Sequence, residues 1–156
     1  MHPDTFTHRA AHGGDLDRLV EGNIAMALET EQLSLEPDVV RKGVAAVLGD
    51  PRLGQYLVAR STDGLVAAQL LLTYEWSDWR NGNVWWIQSV YVWPEYRKQG
   101  VFRSLFDEVR ARASRADVRG LRLYVDRHNV GAQAVYARLG MSTDHYLLFE
   151  LMFSSG

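Results

Sequence analysis

The sequence predicts an α/β fold built on a mixed, mostly antiparallel central sheet with helices on both faces. Three patterns lead there: helical apolar spacing in two early segments, three strand-like segments in succession with short links, and a final strand–helix–strand order. The last pattern demands a crossover and hence a locally parallel pair of strands. With no internal repeat and no linker-like shift in composition, the 156 residues read as one domain over 1–156.

The elements follow in order. A short strand is expected around Phe6 to Ala10. Behind the polar opening Gly14-Asp15, Leu16, Leu19, Val20, Ile24, Ala27 and Leu28 recur on one helical face and predict a helix ending near Glu31. A second helix begins near Pro37, whose fixed φ and missing N–H suit a first turn, and stops at Gly49-Asp50-Pro51. Gln55 to Arg60 and Leu65 to Glu75 read as strands joined by the turn Ser61-Thr-Asp-Gly64, and Val84 to Trp93 as a further strand. Val101, Phe102, Leu105, Phe106, Val109 and Ala113 mark a helix directly after it. Leu121 to Val125 alternates as a buried strand, a helix runs from about Val130 to Leu139 and is closed by Gly140, and His145 to Phe153 is expected as a last strand.

Composition removes several classes of function. The absence of cysteine excludes disulfides, a thiolate zinc site and a cysteine nucleophile. A formal net charge of −2 with a pI near 6.2 is not the basic footprint of a nucleic-acid binder. The richest apolar run, Leu65 to Leu72, falls far short of the roughly 20 residues of a membrane span. The chain start lacks the pattern of a secretory signal, so a soluble, cytoplasmic protein is expected. The histidines show no His-x-x-x-His or clustered carboxylates, so no metal site is expected, and Ser104 lacks the Gly-x-Ser-x-Gly context of a hydrolase nucleophile.

The most specific segment is Val90-Tyr-Val-Trp-Pro-Glu-Tyr-Arg-Lys-Gln-Gly-Val-Phe-Arg-Ser-Leu-Phe106, a strand, a Pro-marked turn, a basic pair, a glycine and an amphipathic helix. The first N–H groups of a helix lack internal partners and sit at the positive end of its dipole, so they form an anion site. Gly100 permits close backbone approach, and Arg97, Lys98 and Arg103 add charge. The bland reading of the same residues is a generic loop entering a helix with a solvated basic edge. A dinucleotide or Walker-type phosphate site is disfavoured, because neither glycine pattern is present.

This segment resembles motif A of the GNAT N-acetyltransferase superfamily, written Gln/Arg-x-x-Gly-x-Gly/Ala, with Arg97 and Gly100 matching and Phe102 standing where a small residue is usual. Asn129-Val-Gly-Ala-Gln-Ala-Val-Tyr-Ala-Arg-Leu-Gly-Met141 resembles the family's second hallmark, an Asn before a helix reading Ala-x-x-x-Tyr-x-x-x-Gly-Phe/Met. The resemblance covers nearly the whole chain. It implies acetyl-CoA as acyl donor, held where the strand before the turn bulges and splays, between the fourth and fifth strands. Backbone groups of Val90, Tyr91 and Val92 would hold the pantetheine arm. Arg97 and the N–H groups of Lys98, Gln99, Gly100, Val101, Phe102 and Arg103 would hold the pyrophosphate, with Asn129 and Ala132 completing the donor site. Tyr136 would be the general acid, since a phenol with a pKa near 10 can protonate a departing thiolate. Read without the family, Tyr136 is a core aromatic and Asn129 a helix cap.

All five tryptophans lie between positions 76 and 93. If strand alternation holds, Trp86, Gln88 and Val90 face one way and Trp85, Ile87 and Ser89 the other. Aromatic walls with acids suit a cationic amine, so Glu29, Glu31, Glu75, Trp76, Asp78, Trp86 and Gln88 are acceptor-side candidates, against a reading as solvated carboxylates and packed rings. The pattern is closest to the spermidine/spermine and thialysine acetyltransferase branch, where a Glu on the strand helps deprotonate the acceptor. Gln88 stands there and cannot act as a base, which leaves a water on Gln88 and Ser89, a carboxylate such as Glu29 or Glu75, or capture of neutral amine. The expected activity is direct acetyl transfer to a primary amine of a small molecule. The alternatives are a peptide or protein acceptor and a non-catalytic acyl-CoA-binding module. The resemblance also allows a homodimer.

Overall fold

A computed structural model describes residues 6–153, which fall into two compact units, residues up to Leu123 and residues from Tyr124 onward. The first unit contains β1 (Thr7–Ala10), α1 (Leu16–Glu31), α2 (Pro37–Gly49), β2 (Gln55–Arg60), β3 (Val66–Ser77), β4 (Gly82–Val92), α3 (Val101–Arg115) and β5 (Gly120–Arg122). The sheet order is β1-β2-β3-β4-β5, antiparallel throughout except for the parallel pair β4 and β5. The mixed sheet and its crossover through α3 are therefore as predicted.

Register assigns the faces. Tyr56 lies opposite Leu71, Val58 opposite Gln69, and Thr73 opposite Trp86, so these side chains share one face. That face meets α1 and α2, where Leu19, Val20, Val44, Tyr56, Val58 and Val66 form a buried cluster. Leu57, Ala59, Ala68, Leu70 and Leu72 alternate onto the other face, are fully or almost fully buried, and α3 packs across β2, β3 and β4. On this side His8 of β1 and Ser104 of α3 share a 2.7 Å hydrogen bond, which accounts locally for both residues.

A polar interlock fixes α1 on the sheet. Gln69 is fully buried, and its Nε2 donates to the Leu19 carbonyl (3.1 Å) and to Asn23 Oδ1 (3.2 Å), while Asn23 Nδ2 donates to the Tyr56 hydroxyl (3.2 Å). Gly22 sits directly over the Gln69 amide, and a Cβ there would fall inside contact distance of its oxygen. At the helix start, the buried Asp15 accepts from both Arg9 nitrogens (2.6 and 3.0 Å) and from the His12 N–H (2.9 Å). Burial alone would raise the Asp15 pKa, but the Arg9 bonds, the His12 N–H and the guanidinium charge together hold it below the ordinary carboxylate value.

The second unit contains α4 (Val130–Arg138), followed by Gly140 in the left-handed conformation (φ 93°) that the sequence suggested for a helix stop. The strand expected over 145–153 is not among the described elements. A strand exists by pairing, and among the described residues of this unit there is no second strand to pair with. The other departures are at ends: β5 closes at Arg122 instead of Val125, β4 starts at Gly82, and β3 reaches Ser77 because the two strands remain paired through the tryptophan-rich hairpin.

Gly22→Ala should lower stability by about 1–3 kcal/mol through overpacking against Gln69, read from urea midpoints. Asp15→Asn should cost about 1–3 kcal/mol at neutral pH. Because the folded pKa of Asp15 lies below its unfolded value of about 3.9, that contribution is complete above the unfolded value and is lost as pH falls through the folded one. The difference between variant and parent should therefore shrink in acid melts.

Candidate active site

Two neighbouring departures from regular backbone define the site. The first is in β4: Gln69 pairs with Tyr91 but Leu71 pairs with Gln88, so Leu70 faces two residues, Ser89 and Val90. This is a β-bulge, and Ser89 takes the left-handed conformation (φ 53°) that releases the extra residue. The alternation expected along this strand is thereby corrected. Beyond the bulge it is Tyr91, not Val90, that shares the α1 face with Trp86 and Gln88. The β4–β5 ladder joins only Val84–Trp86 to Gly120–Arg122, so residues 87–92 have no β5 partner among the described residues.

The second departure is the turn after β4. A short 3₁₀ turn at Pro94–Tyr96 leads to Lys98 and Gly100, both left-handed (φ 61° and 75°), and Gly100 caps α3. The Ser104 N–H bonds back to the Gly100 carbonyl (3.0 Å), which leaves the N–H groups of Val101, Phe102 and Arg103 ahead of that bond at the positive end of α3. A non-glycine residue at positive φ is uncommon, and clusters of such residues mark functional backbone. The basic side chains are unequal. Arg97 is tied to Glu29, Arg103 approaches Asp107 at 4.0 Å, and Lys98 has no ion-pair partner among the described residues. Gln99 turns its amide back to the Glu95 carbonyl (3.0 Å).

On the α1 face, two of the predicted acids, Glu75 and Glu29, have side-chain partners. Glu75 accepts from the Trp86 indole N–H (2.7 Å) and from Arg122 (2.9 Å). The Trp86 hydrogen bond first, and Arg122 with Arg80 after it, hold the Glu75 carboxyl below its ordinary pKa. Gln88 donates to the Thr73 hydroxyl (2.5 Å). Glu29 accepts from the Tyr91 hydroxyl (3.0 Å) and from Arg97 (2.9 Å). Glu31 and Asp78 are exposed. Trp76 is not brought to this group: it pairs with Asn83, so it stands on the opposite face from Glu75 and is largely exposed.

In the second unit, Asn129 caps α4, its Oδ1 accepting from the Ala132 N–H (3.1 Å), so the capping role read from sequence is observed. Tyr136 lies on α4, and burial pushes its phenol pKa above the ordinary value. No group of three or more His, Asp or Glu able to hold a metal occurs among the described residues.

Sequence reasoning missed Thr73, Arg122 and the Tyr91 contact with Glu29. Arg122 was detectable as the one charge within the apolar alternation of Leu121-Arg-Leu-Tyr-Val125. The Tyr91 contact depends on the bulge, which has no clear sequence mark.

Comparison with known proteins agrees with this geometry. The acetyltransferase (GNAT) family model matches residues 24–141. The crystal structure of a possible acetyltransferase from Clostridium difficile 630 is 42% identical, covers 97% of this chain and 100% of its own, and superposes with a TM-score of 0.89. Two more distant structures share the fold. A predicted acetyltransferase with acetyl-CoA from Clostridium acetobutylicum is 17% identical over 93% of this chain and 96% of its own, with a TM-score of 0.74. The ribosomal-protein-alanine N-acetyltransferase from Brucella melitensis biovar Abortus 2308 is 15% identical over 96% and 99%, with a TM-score of 0.76. No curated protein sequence matches significantly.

Gly100→Ala should destabilise the fold by about 1–2 kcal/mol, because alanine pays the left-handed penalty that glycine avoids. Urea unfolding checks this, and an unchanged midpoint would show that the turn does not need the positive φ.

Proposed function

The chain belongs to the GNAT acetyltransferase family, and on that premise we propose that it moves the acetyl group of acetyl-CoA directly to the primary amine of a small molecule. Members of this family use acetyl-CoA, and the residues here fit it. The observation that carries the reading is the bulged end of β4 running into a left-handed turn at the start of α3. Residues 87–92 offer backbone groups without β5 partners among the described residues, and α3 presents the positive end of its dipole, with the N–H groups of its first turn ahead of the Ser104–Gly100 bond and Lys98 beside them. The first set suits the amides of the pantetheine arm, the second the pyrophosphate. The family model crosses both compact units, which supports reading them as one catalytic domain.

Acetyl-CoA supplies an activated thioester. The chain's part is to orient it, to offer an N–H from Val90 to Val92 toward charge developing on the carbonyl oxygen, and to return a proton to the sulfur that leaves. We assign that proton transfer to Tyr136, and contact with the donor to Asn129 and Ala132, on the strength of the family resemblance. A phenol is protonated at neutral pH, as a general acid requires, and the burial of Tyr136 shifts its pKa further upward.

The acceptor side favours an amine that arrives neutral. Gln88 is an amide, Glu75 has a depressed pKa, and Glu29 is held by Tyr91 and Arg97, so none of the three is poised to take a proton. A water held at Gln88 and Ser89 is the remaining protein-assisted route. Because Glu29 and Glu75 are each neutralised by an arginine, the face offers little to a polycation, and a monoamine suits it better than a polyamine.

Tyr136→Phe should lower kcat by about 10²-fold or more while acetyl-CoA affinity stays within about twofold. Released CoA can be followed with a thiol reagent, because the protein contributes no thiol. Turnover by the phenylalanine variant at the parental rate would remove Tyr136 from the mechanism. A panel of monoamines, polyamines, amino sugars and peptides identifies the acceptor, and preferential turnover of peptides would overturn the small-molecule reading.

A further inference from the structure

The last turn of α1 carries Glu29 and Glu31 and no basic residue. Acids at the negative end of a helix dipole are unfavourable, so Glu29 does not serve the helix. It serves a junction. Its Oε1 accepts from the Tyr91 hydroxyl (3.0 Å) just past the bulge, and its Oε2 from Arg97 Nη2 (2.9 Å) in the turn before α3. Arg97 is held on two further sides, with Nε donating to the Val92 carbonyl (3.0 Å) and the guanidinium 5.5 Å from the Tyr91 ring centre. Tyr91 is buried and packs edge-on against Trp93 at 5.2 Å. One carboxylate thus joins α1, the bulged strand and the anion-binding turn.

We propose that Glu29 is a positioning residue that, through Arg97 and Tyr91, makes the end of α1 follow the turn, so that donor binding at the turn sets the acceptor side. This rests on the donor and acceptor placement proposed above. It gives Arg97 the role of a brace, with the phosphate charge met by Lys98 and the α3 N–H groups. The pair is about half exposed, so its effects are a few-fold, not orders of magnitude.

The test compares the parent with Glu29→Gln, which keeps an acceptor for the Tyr91 hydroxyl but loses the charge that holds Arg97, and with Tyr91→Phe, which removes only the hydroxyl. Acetyl-CoA is the probe, with hydrogen exchange read on residues 27–33. In the parent, acetyl-CoA should slow exchange in this segment. In Glu29→Gln that response should vanish while acetyl-CoA affinity stays within about twofold, and the acceptor KM should rise about two- to fivefold with kcat unchanged. Tyr91→Phe should weaken the response partly. The proposal is overturned if the glutamine variant keeps the full exchange response, or if Arg97→Lys weakens acetyl-CoA binding tenfold while Glu29→Gln changes nothing. Failure of every amine as acceptor would refute the proposed reaction and leave the exchange experiment readable. Failure of acetyl-CoA to bind would do so too, and the brace would then stand or fall on whether Glu29→Gln alone speeds exchange at 27–33.

Discussion

One extra residue in β4 organises the site. Without the bulge at Ser89 and Val90, strand alternation would place Val90 on the α1 face and turn Tyr91 toward α3. With it, Tyr91 reaches Glu29, Trp93 stacks beneath Arg18 at 3.4 Å, and the strand leaves its β3 register just where residues 87–92 lie beyond the β5 pairing. A bulge costs ladder hydrogen bonds and here a left-handed serine. The well-buried β2–β3 ladder on one side and α3 on the other keep that local cost from loosening the sheet.

The electrostatics follow from this placement. Two of the acids that a sequence reading collects as an anionic patch, Glu29 and Glu75, are paired with arginines that arrive from distant parts of the chain, Arg97 from the turn and Arg122 from β5. A carboxylate that looks available in one dimension is committed in three. Around Glu75 and Glu29 the α1 face is thus close to charge-balanced, with the Trp86 indole, the Gln88 amide and the Thr73 hydroxyl alongside.

Periodicity and turn chemistry made most of the architecture legible. The helices from Leu16, Pro37 and Val101 start where apolar spacing and caps place them, and the parallel β4–β5 pair follows from the strand–helix–strand order. The turn into α3 was legible because Gly100 and the helix start have a direct physical meaning. Along β4 the facing of Trp85 to Gln88 was legible, but not that of Val90 and Tyr91, since the inserted residue inverts the assignments beyond it and leaves no mark in composition. Trp76 and Trp86 look alike in sequence yet stand on opposite faces of the hairpin. The apolar run over 145–153 shows that a strand-like sequence states a capacity, while the pairing partner decides whether a strand exists.

The interlock of Gln69, Asn23 and Tyr56 beneath Gly22 has a consequence for how the enzyme can change. It sets the rotation of α1 about its own axis as well as its distance from the sheet. A helix pinned in this way cannot present a different face by turning. The connection to α2 begins where Gln32 breaks the helix with a left-handed residue, and Leu33 in it lies half exposed. A change of face along α1 would first have to break this three-residue interlock.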